Sequence, residues 1–249
     1  MIKYAHLFAT AAQYAFNLFI PPRCLVCQRI VKRDNELCAK CFSMLKFLPD
    51  NCCPVCARPY IYPLDETESY VCPRCQKKRQ YLHRLKAVVA YDDFIKQLIL
   101  PLKHAGKTEA VRFLAHLMYG RAADMLQSAD VLIPVPLHWL RLAKRQYNQS
   151  ALIAKELSKM TGKPFLTRAL VRVRHTPAQG HKTKAERKAN ITGAFKVAAP
   201  NQIKGKRIVI IDDVCASGAT LREAAKMLKQ AGAKNVEALV VARTCKMDY

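Results

Sequence analysis

Four Cys-x-x-Cys pairs, at Cys24/Cys27, Cys38/Cys41, Cys53/Cys56 and Cys72/Cys75, crowd into the first third of the chain. Each pair sets two thiolates on one side of a tight turn, and two such turns supply the four soft ligands that tetrahedral zinc prefers at about 2.3 Å. Four pairs make two sites. The simplest pairing is sequential, with Cys24, Cys27, Cys38 and Cys41 around one ion and Cys53, Cys56, Cys72 and Cys75 around the other. Spacing alone also allows a cross-braced arrangement. A ligand set made only of Cys leaves no open coordination position, so both sites read as structural. Iron–sulfur ligation is the lesser alternative, because four Cys also suit iron. Paired spacing fits a reducing compartment better than a disulfide framework does. Cys52, Cys215 and Cys245 are left over, and Cys52 could replace Cys53 only by giving up the pair spacing.

Residues 23–82 are rich in Cys, Pro and Arg and poor in long apolar runs, the texture of a small module held together by its metals. Ahead of it, within residues 1–22, Tyr4, Phe8, Ala11, Ala15 and Phe19 recur at helical spacing. They predict an amphipathic helix that packs on the metal module or lies on a membrane surface. His6, Thr10, Gln13 and Asn17 interrupt its apolar character, and no small-residue cleavage site of the signal-peptide kind precedes Pro21. No uninterrupted apolar stretch approaches the roughly 18 residues of a membrane span, so no transmembrane helix is expected.

Residues 83–249 read differently. Apolar strand-like runs (Ala87–Tyr91, Val131–Val135, Ile208–Ile211, Ala238–Ala242) alternate with helical stretches (Glu109–Leu126, Ser150–Met160, Leu221–Gln230). That alternation predicts βαβ units on a mostly parallel sheet, an α/β domain. Apart from the paired Cys spacing, the sequence shows no internal repeat.

Forty-two Lys and Arg against 18 Asp and Glu leave a net charge of +24, well beyond the roughly 2–8 that solubility asks of a small domain. Such a field attracts polyanions: nucleic acid, phosphorylated small molecules or anionic lipid. The surplus is +6 over residues 1–82 and +18 over the remainder, and Leu137–Asn190 alone carries +11. Within that stretch Arg141, Lys144, Arg145 and Tyr147, and later Lys182, Lys184, Arg187 and Lys188, mix cations with an aromatic ring. Single-stranded nucleic acid asks for that mixture, since phosphates pair with cations while bases stack on rings. Trp139 and Tyr147 fit a core role as well as a stacking one.

The most informative stretch is I-V-I-I-D-D-V-C-A-S-G-A-T, from Ile208 to Thr220, followed by a helical run from Leu221. An apolar strand ends in two carboxylates, and a turn of small residues then opens into a helix. Consecutive amides from Ala216 to Thr220 can converge on a phosphate, helped by the helix N-terminus. The bland alternative is an ordinary strand-to-helix connection capped by Ser217 or Thr220.

The whole pattern resembles the phosphoribosyl diphosphate loop of type I phosphoribosyltransferases. The resemblance implies that Asp212 and Asp213 bind the ribose hydroxyls and that Ala216, Ser217, Gly218, Ala219 and Thr220 cradle the 5′-phosphate. Ala216 stands where many members carry Thr, which removes one hydroxyl contact. A diphosphate loop is implied at Leu102–Lys107, with Lys103 and Lys107 as its contacts and Mg²⁺ accompanying the diphosphate. Joined to four N-terminal Cys-x-x-Cys pairs, this domain resembles the ComF family of competence proteins and their GntX-like relatives. Further similar stretches are Pro134–His138, Arg145–Gln149, Thr176–Gln179 and Arg187–Phe195. Gln146 departs from the pattern, since members carry Gly there, and an altered backbone is expected at that position. The loop Arg174–Thr192 corresponds to a mobile lid. The resemblance implies a cytoplasmic protein, at most peripheral at the inner membrane face, that handles incoming single-stranded DNA in natural transformation. Alternatives are an active phosphoribosyltransferase on an unidentified acceptor and a scaffold whose zinc module recruits DNA-uptake proteins.

Overall fold

The computed structural model describes residues 21–60, 70–77, 81–103, 106–174 and 191–245. The expected N-terminal helix and most of the expected lid, with Lys182, Lys184, Arg187 and Lys188, lie outside the described residues. The chain divides into two compact units, residues 1–45 and 46–249.

In the first unit the turn Cys24–Cys27 is closed by Cys24 N donating to the Arg29 carbonyl at 2.7 Å. Gln28 takes a left-handed φ of +61°. The second pair opens a helical turn, α1 (Ala39–Phe42). The second unit begins with the same device: Cys53 N donates to Arg58 O at 2.9 Å, Ala57 has φ +50°, and Cys72 precedes α2 (Pro73–Gln76). The paired Cys spacing thus marks a structural repeat. Only the Cys pairs mark it in sequence, because backbone geometry and metal ligation, not side-chain identity, define each copy.

Beyond the second ribbon, β1 (Arg84–Ala90) leads through α3 (Asp93–Ile99) and a short 3-10 turn (Pro101–Lys103) into the long helix α4 (Ala110–Ser128). β2 (Val131–Pro134), α5 (Trp139–Arg145) and α6 (Gln149–Thr161) follow. A two-stranded antiparallel ladder, β3 (Leu170–Arg172) with β4 (Phe195–Val197), stands apart from the main sheet. β5 (Arg207–Cys215), α7 (Ala219–Gln230) and β6 (Asn235–Arg243) complete the described chain. The main sheet has the order β1-β6-β5-β2 and every pairing in it is parallel.

The central strands are buried almost end to end, as parallel strands covered on both faces must be. On one face Ile208, Ile210, Ala238 and Val240 share a core with Leu221, Ala224 and Leu228 of α7 and Phe195 of β4. Strand alternation turns Val209, Ile211, Leu239 and Val241 to the other face. There α4 and α6 pack together against the sheet and bury Leu114, Met118, Ile153 and Leu157. The free edge of β1 is covered by Lys46–Leu48, through Ala90 N to Lys46 O at 2.8 Å and Leu48 N to Val88 O at 2.9 Å. Among the described residues, no helix is long and apolar enough to cross a membrane.

Candidate functional site

The two carboxylates expected at the end of a strand lie inside it. β5 runs on from Ile211 to Cys215 because its pairing with β6 continues as far as Cys215 opposite Arg243. Asp212 and Asp213 are consequently buried, at 9% and 5% exposure.

The start of α6 supplies their partners. Asn148 caps this helix, accepting from Ser150 N at 3.1 Å and donating Nδ2 to the Val135 carbonyl at 2.9 Å. The helix N-terminus is thereby tied to the end of β2. Ser150 Oγ donates to Asp212 Oδ1 at 2.9 Å, and the Asp213 amide donates to the same oxygen at 3.0 Å. Asp213 Oδ2 accepts from Lys103 Nζ at 2.8 Å and from Gln149 Nε2 at 3.4 Å. Burial, and then the neighbouring charge of Asp213, push the Asp212 carboxyl up to about 7, against the pull of Ser150, the Asp213 amide and Lys103.

The following turn is capped neither by Ser217 nor by Thr220. Gly218 is the N-cap of α7, with φ +72° and no side-chain cap. A side chain there would be strained in backbone and would meet Arg222 Nη1 at 2.8 Å. Ser217 Oγ accepts from Ala219 N at 3.4 Å, a long contact.

Beside the carboxylates opens a cleft of about 820 Å³. Asp212, Asp213 and Thr220 line it together with Lys103, Arg141, Lys144, Arg145 and Tyr147. Residues expected to serve three separate purposes thus share one concave surface. Lys107 is exposed and is not among the cleft's lining residues. Trp139 does not join the core: it is 66% exposed on α5, where no residue is buried. Tyr147 is half-buried at the cleft wall. Gln146 does not alter the backbone that Gly would adopt; it holds the left-handed conformation itself, φ +66°, as the C-cap of α5.

Four site residues escaped the sequence reading. Gln149 and Ser150 lie inside the basic stretch Leu137–Asn190, and Gln149 ends the family-like run Arg145–Gln149, but nothing in sequence marks them as partners of the carboxylates. Arg172, on β3, also lines the cleft; burial and the nearby Arg141 bring its guanidinium down to about 10. Arg243 is only 3% exposed, and an Arg closing a nine-residue apolar strand was the available signal.

The eight expected ligands gather into the two sequential tetrads, each with its Sγ atoms within 4.8 Å of one another. Cys27 and Cys38 Sγ lie 3.5 Å apart, and Cys56 and Cys72 Sγ 3.8 Å apart. A tetrahedron with metal–sulfur bonds of about 2.3 Å has edges of about 3.8 Å, so both sets fit zinc. Amide donors support the thiolates, Cys38 N to Cys24 Sγ at 3.3 Å and Cys72 N to Cys53 Sγ at 3.4 Å. Cys52 stays outside its tetrad, its thiol turned to the Pro49 carbonyl at 3.1 Å.

Comparison with known proteins matches residues 15–76 to the double zinc ribbon domain family and residues 119–246 to the phosphoribosyl transferase domain family. The chain is 30% identical over 233 residues to the DNA utilization protein YhgH of Salmonella typhimurium, covering 91% of this chain and 99% of that one. It is 29% identical over 228 residues to competence protein F of Haemophilus influenzae, covering 89% and 96%. Among solved structures, orotate phosphoribosyltransferase from Aeropyrum pernix aligns over 62% of this chain and 67% of its own, with 20% identity and a TM-score of 0.36. With a double zinc ribbon, a phosphoribosyltransferase domain and relatives matched over nearly their full lengths, the chain belongs to the ComF family.

Proposed function

We propose that this protein takes part in DNA uptake, holding incoming single-stranded DNA against a cleft that also binds phosphoribosyl diphosphate or a related phosphorylated sugar. The observation that carries the reading is the shared wall of the cleft, with Asp212, Asp213 and Thr220 on the same surface as Arg141, Lys144, Arg145 and Tyr147. The names of the relatives, a competence protein and a DNA utilization protein, support the DNA side.

In this reading the ribose hydroxyls donate to Asp212 and Asp213, which Ser150 and Gln149 hold in place. The 5′-phosphate sits on the amides of Ala216–Thr220. Lys103 now neutralises Asp213 and lies in reach of an arriving diphosphate, whose Mg²⁺ could take over that neutralising role; Lys107, next to the cleft-lining Gly106, is the second diphosphate contact. Strand phosphates pair with Arg141, Lys144 and Arg145, and with Lys182, Lys184, Arg187 and Lys188 outside the described residues, while a base stacks on Tyr147.

The test is a competition titration. A fluorescent single-stranded oligonucleotide bound at low salt should be displaced by Mg²⁺-phosphoribosyl diphosphate, and its affinity should fall steeply with salt. Charge reversal at Arg141 and Arg145 should weaken it. Simultaneous, independent binding of both ligands would sink the shared surface.

A second reading, phosphoribosyl transfer to an unidentified acceptor, draws on the buried acid pair beside the amide turn. It requires diphosphate release that Asp213→Asn abolishes.

A further inference from the structure

The Arg243 guanidinium lies under the turn that follows β5. Its Nη1 donates to the carbonyls of Cys215 at 2.8 Å and Thr244 at 3.0 Å, and also to that of Ala216. Its Nε donates to the carbonyl of Cys56, a ligand of the second tetrad, at 2.9 Å. Arg222 Nη2 donates to the Ser217 carbonyl at 3.0 Å. In a planar trans peptide the C=O of one residue points opposite to the N–H of the next. Pinning the carbonyls of Cys215 and Ala216 therefore turns the amides of Ala216 and Ser217 away from the Arg243 guanidinium. A buried cation behind those amides also adds to their attraction for an anion.

We propose that Arg243 is a positioning residue through which the metal of the second ribbon sets the conformation, and hence the anion affinity, of the turn Ala216–Thr220. The Cys56 carbonyl belongs to a knuckle whose shape depends on the metal. Loss of the metal frees that carbonyl to move, and the guanidinium that spans both elements moves with it. The second ribbon is then a working part of the cleft, not only a staple. This rests on the sugar-phosphate reading of the turn for its functional half.

The experiment uses the full-length zinc-loaded protein, Arg243→Met, Arg243→Lys, and Cys75→Ser, which opens the second tetrad at the ligand pair not bonded to Arg243. Two quantities are read: amide hydrogen exchange over residues 214–222, and the affinity for ribose 5-phosphate by calorimetry. Cys75→Ser should raise exchange across the turn and weaken ribose 5-phosphate at least tenfold. Arg243→Met should do the same while keeping two zinc ions, and combining it with Cys75→Ser should add little, the signature of one shared linkage. Should Arg243→Met fail to fold, Arg243→Lys, which keeps the charge but cannot span both carbonyl sets, is expected to give the same rise in exchange. Exchange indifferent to Cys75→Ser, or effects that add in full, would overturn the proposal. Coupled exchange without any ribose 5-phosphate heat in the wild-type chain would instead overturn the sugar-phosphate reading and the functional half with it, leaving the mechanical linkage standing.

Discussion

Replacing Asp212 with Asn should make the ligand-free protein more stable near neutral pH while weakening its hold on phosphorylated ribose. Asn is nearly isosteric, and its Oδ1 can keep the bonds from Ser150 Oγ and the Asp213 amide, so the substitution removes mainly charge. Burial and Asp213 push the Asp212 carboxyl from 3.8 up to about 7. A folded chain that binds a proton more tightly than the unfolded one loses stability as pH rises between the two values. Below about pH 4 both states hold the proton and nothing is lost; above about pH 7 the full cost is present. At roughly 1.4 kcal/mol per pH unit the cost is bounded at about 4 kcal/mol, and water entering the cleft lowers it. Chains of this size gain roughly 2–4 °C in Tm per kcal/mol. Asp212→Asn should therefore melt roughly 5–10 °C above the wild type at about pH 8, with the gap closing towards about pH 4. Scanning calorimetry across that range reads it directly. An Asn variant that melts below the wild type at the alkaline end, or a gap that ignores pH, would refute the claim that this carboxyl is held against its own desolvation.

Trp139 is the sole Trp in the chain and is 66% exposed on the same short helix as Arg141 and Lys144, so single-stranded oligonucleotide should quench its emission. Trp139→Ala should cost roughly 1–3 kcal/mol of binding, and emission unchanged at saturation would exclude stacking there. Gln146 holds φ +66°, a conformation costing a non-Gly residue about 1–2 kcal/mol, from which Gly's greater freedom when unfolded subtracts up to about 1. Gln146→Gly should stabilise the protein by up to about 1 kcal/mol in urea unfolding, and a lowered midpoint would contradict this.

Sheet and metal ligands were legible because each carries a short-range signature. Apolar runs such as Ile208–Ile211 and Ala238–Ala242 gave strands, and Cys spacing gave the eight ligands, with the sequential tetrads as the simpler of two pairings. What stayed hidden depends on contacts far apart in sequence. The extension of β5 through Asp212 and Asp213 follows from register with β6, which no local pattern encodes. Ser150 and Gln149 reach the carboxylates only because Asn148 ties α6 to the end of β2. Trp139 fitted core and stacking roles alike by type, and only α5, a seven-residue helix with no buried residue, excludes the first. Gln146 looked disruptive, yet its neighbours hold the turn that a glycine would have taken unaided.

The two ribbons are alike in geometry but fall in different compact units, the first within residues 1–45 and the second within 46–249. A polypeptide starting at Lys46 would thus keep one complete thiolate tetrad, the strip that shields the outer margin of the sheet, and every described wall of the cleft. Trimming the leading copy therefore separates whatever that copy contributes from the chemistry of the remainder.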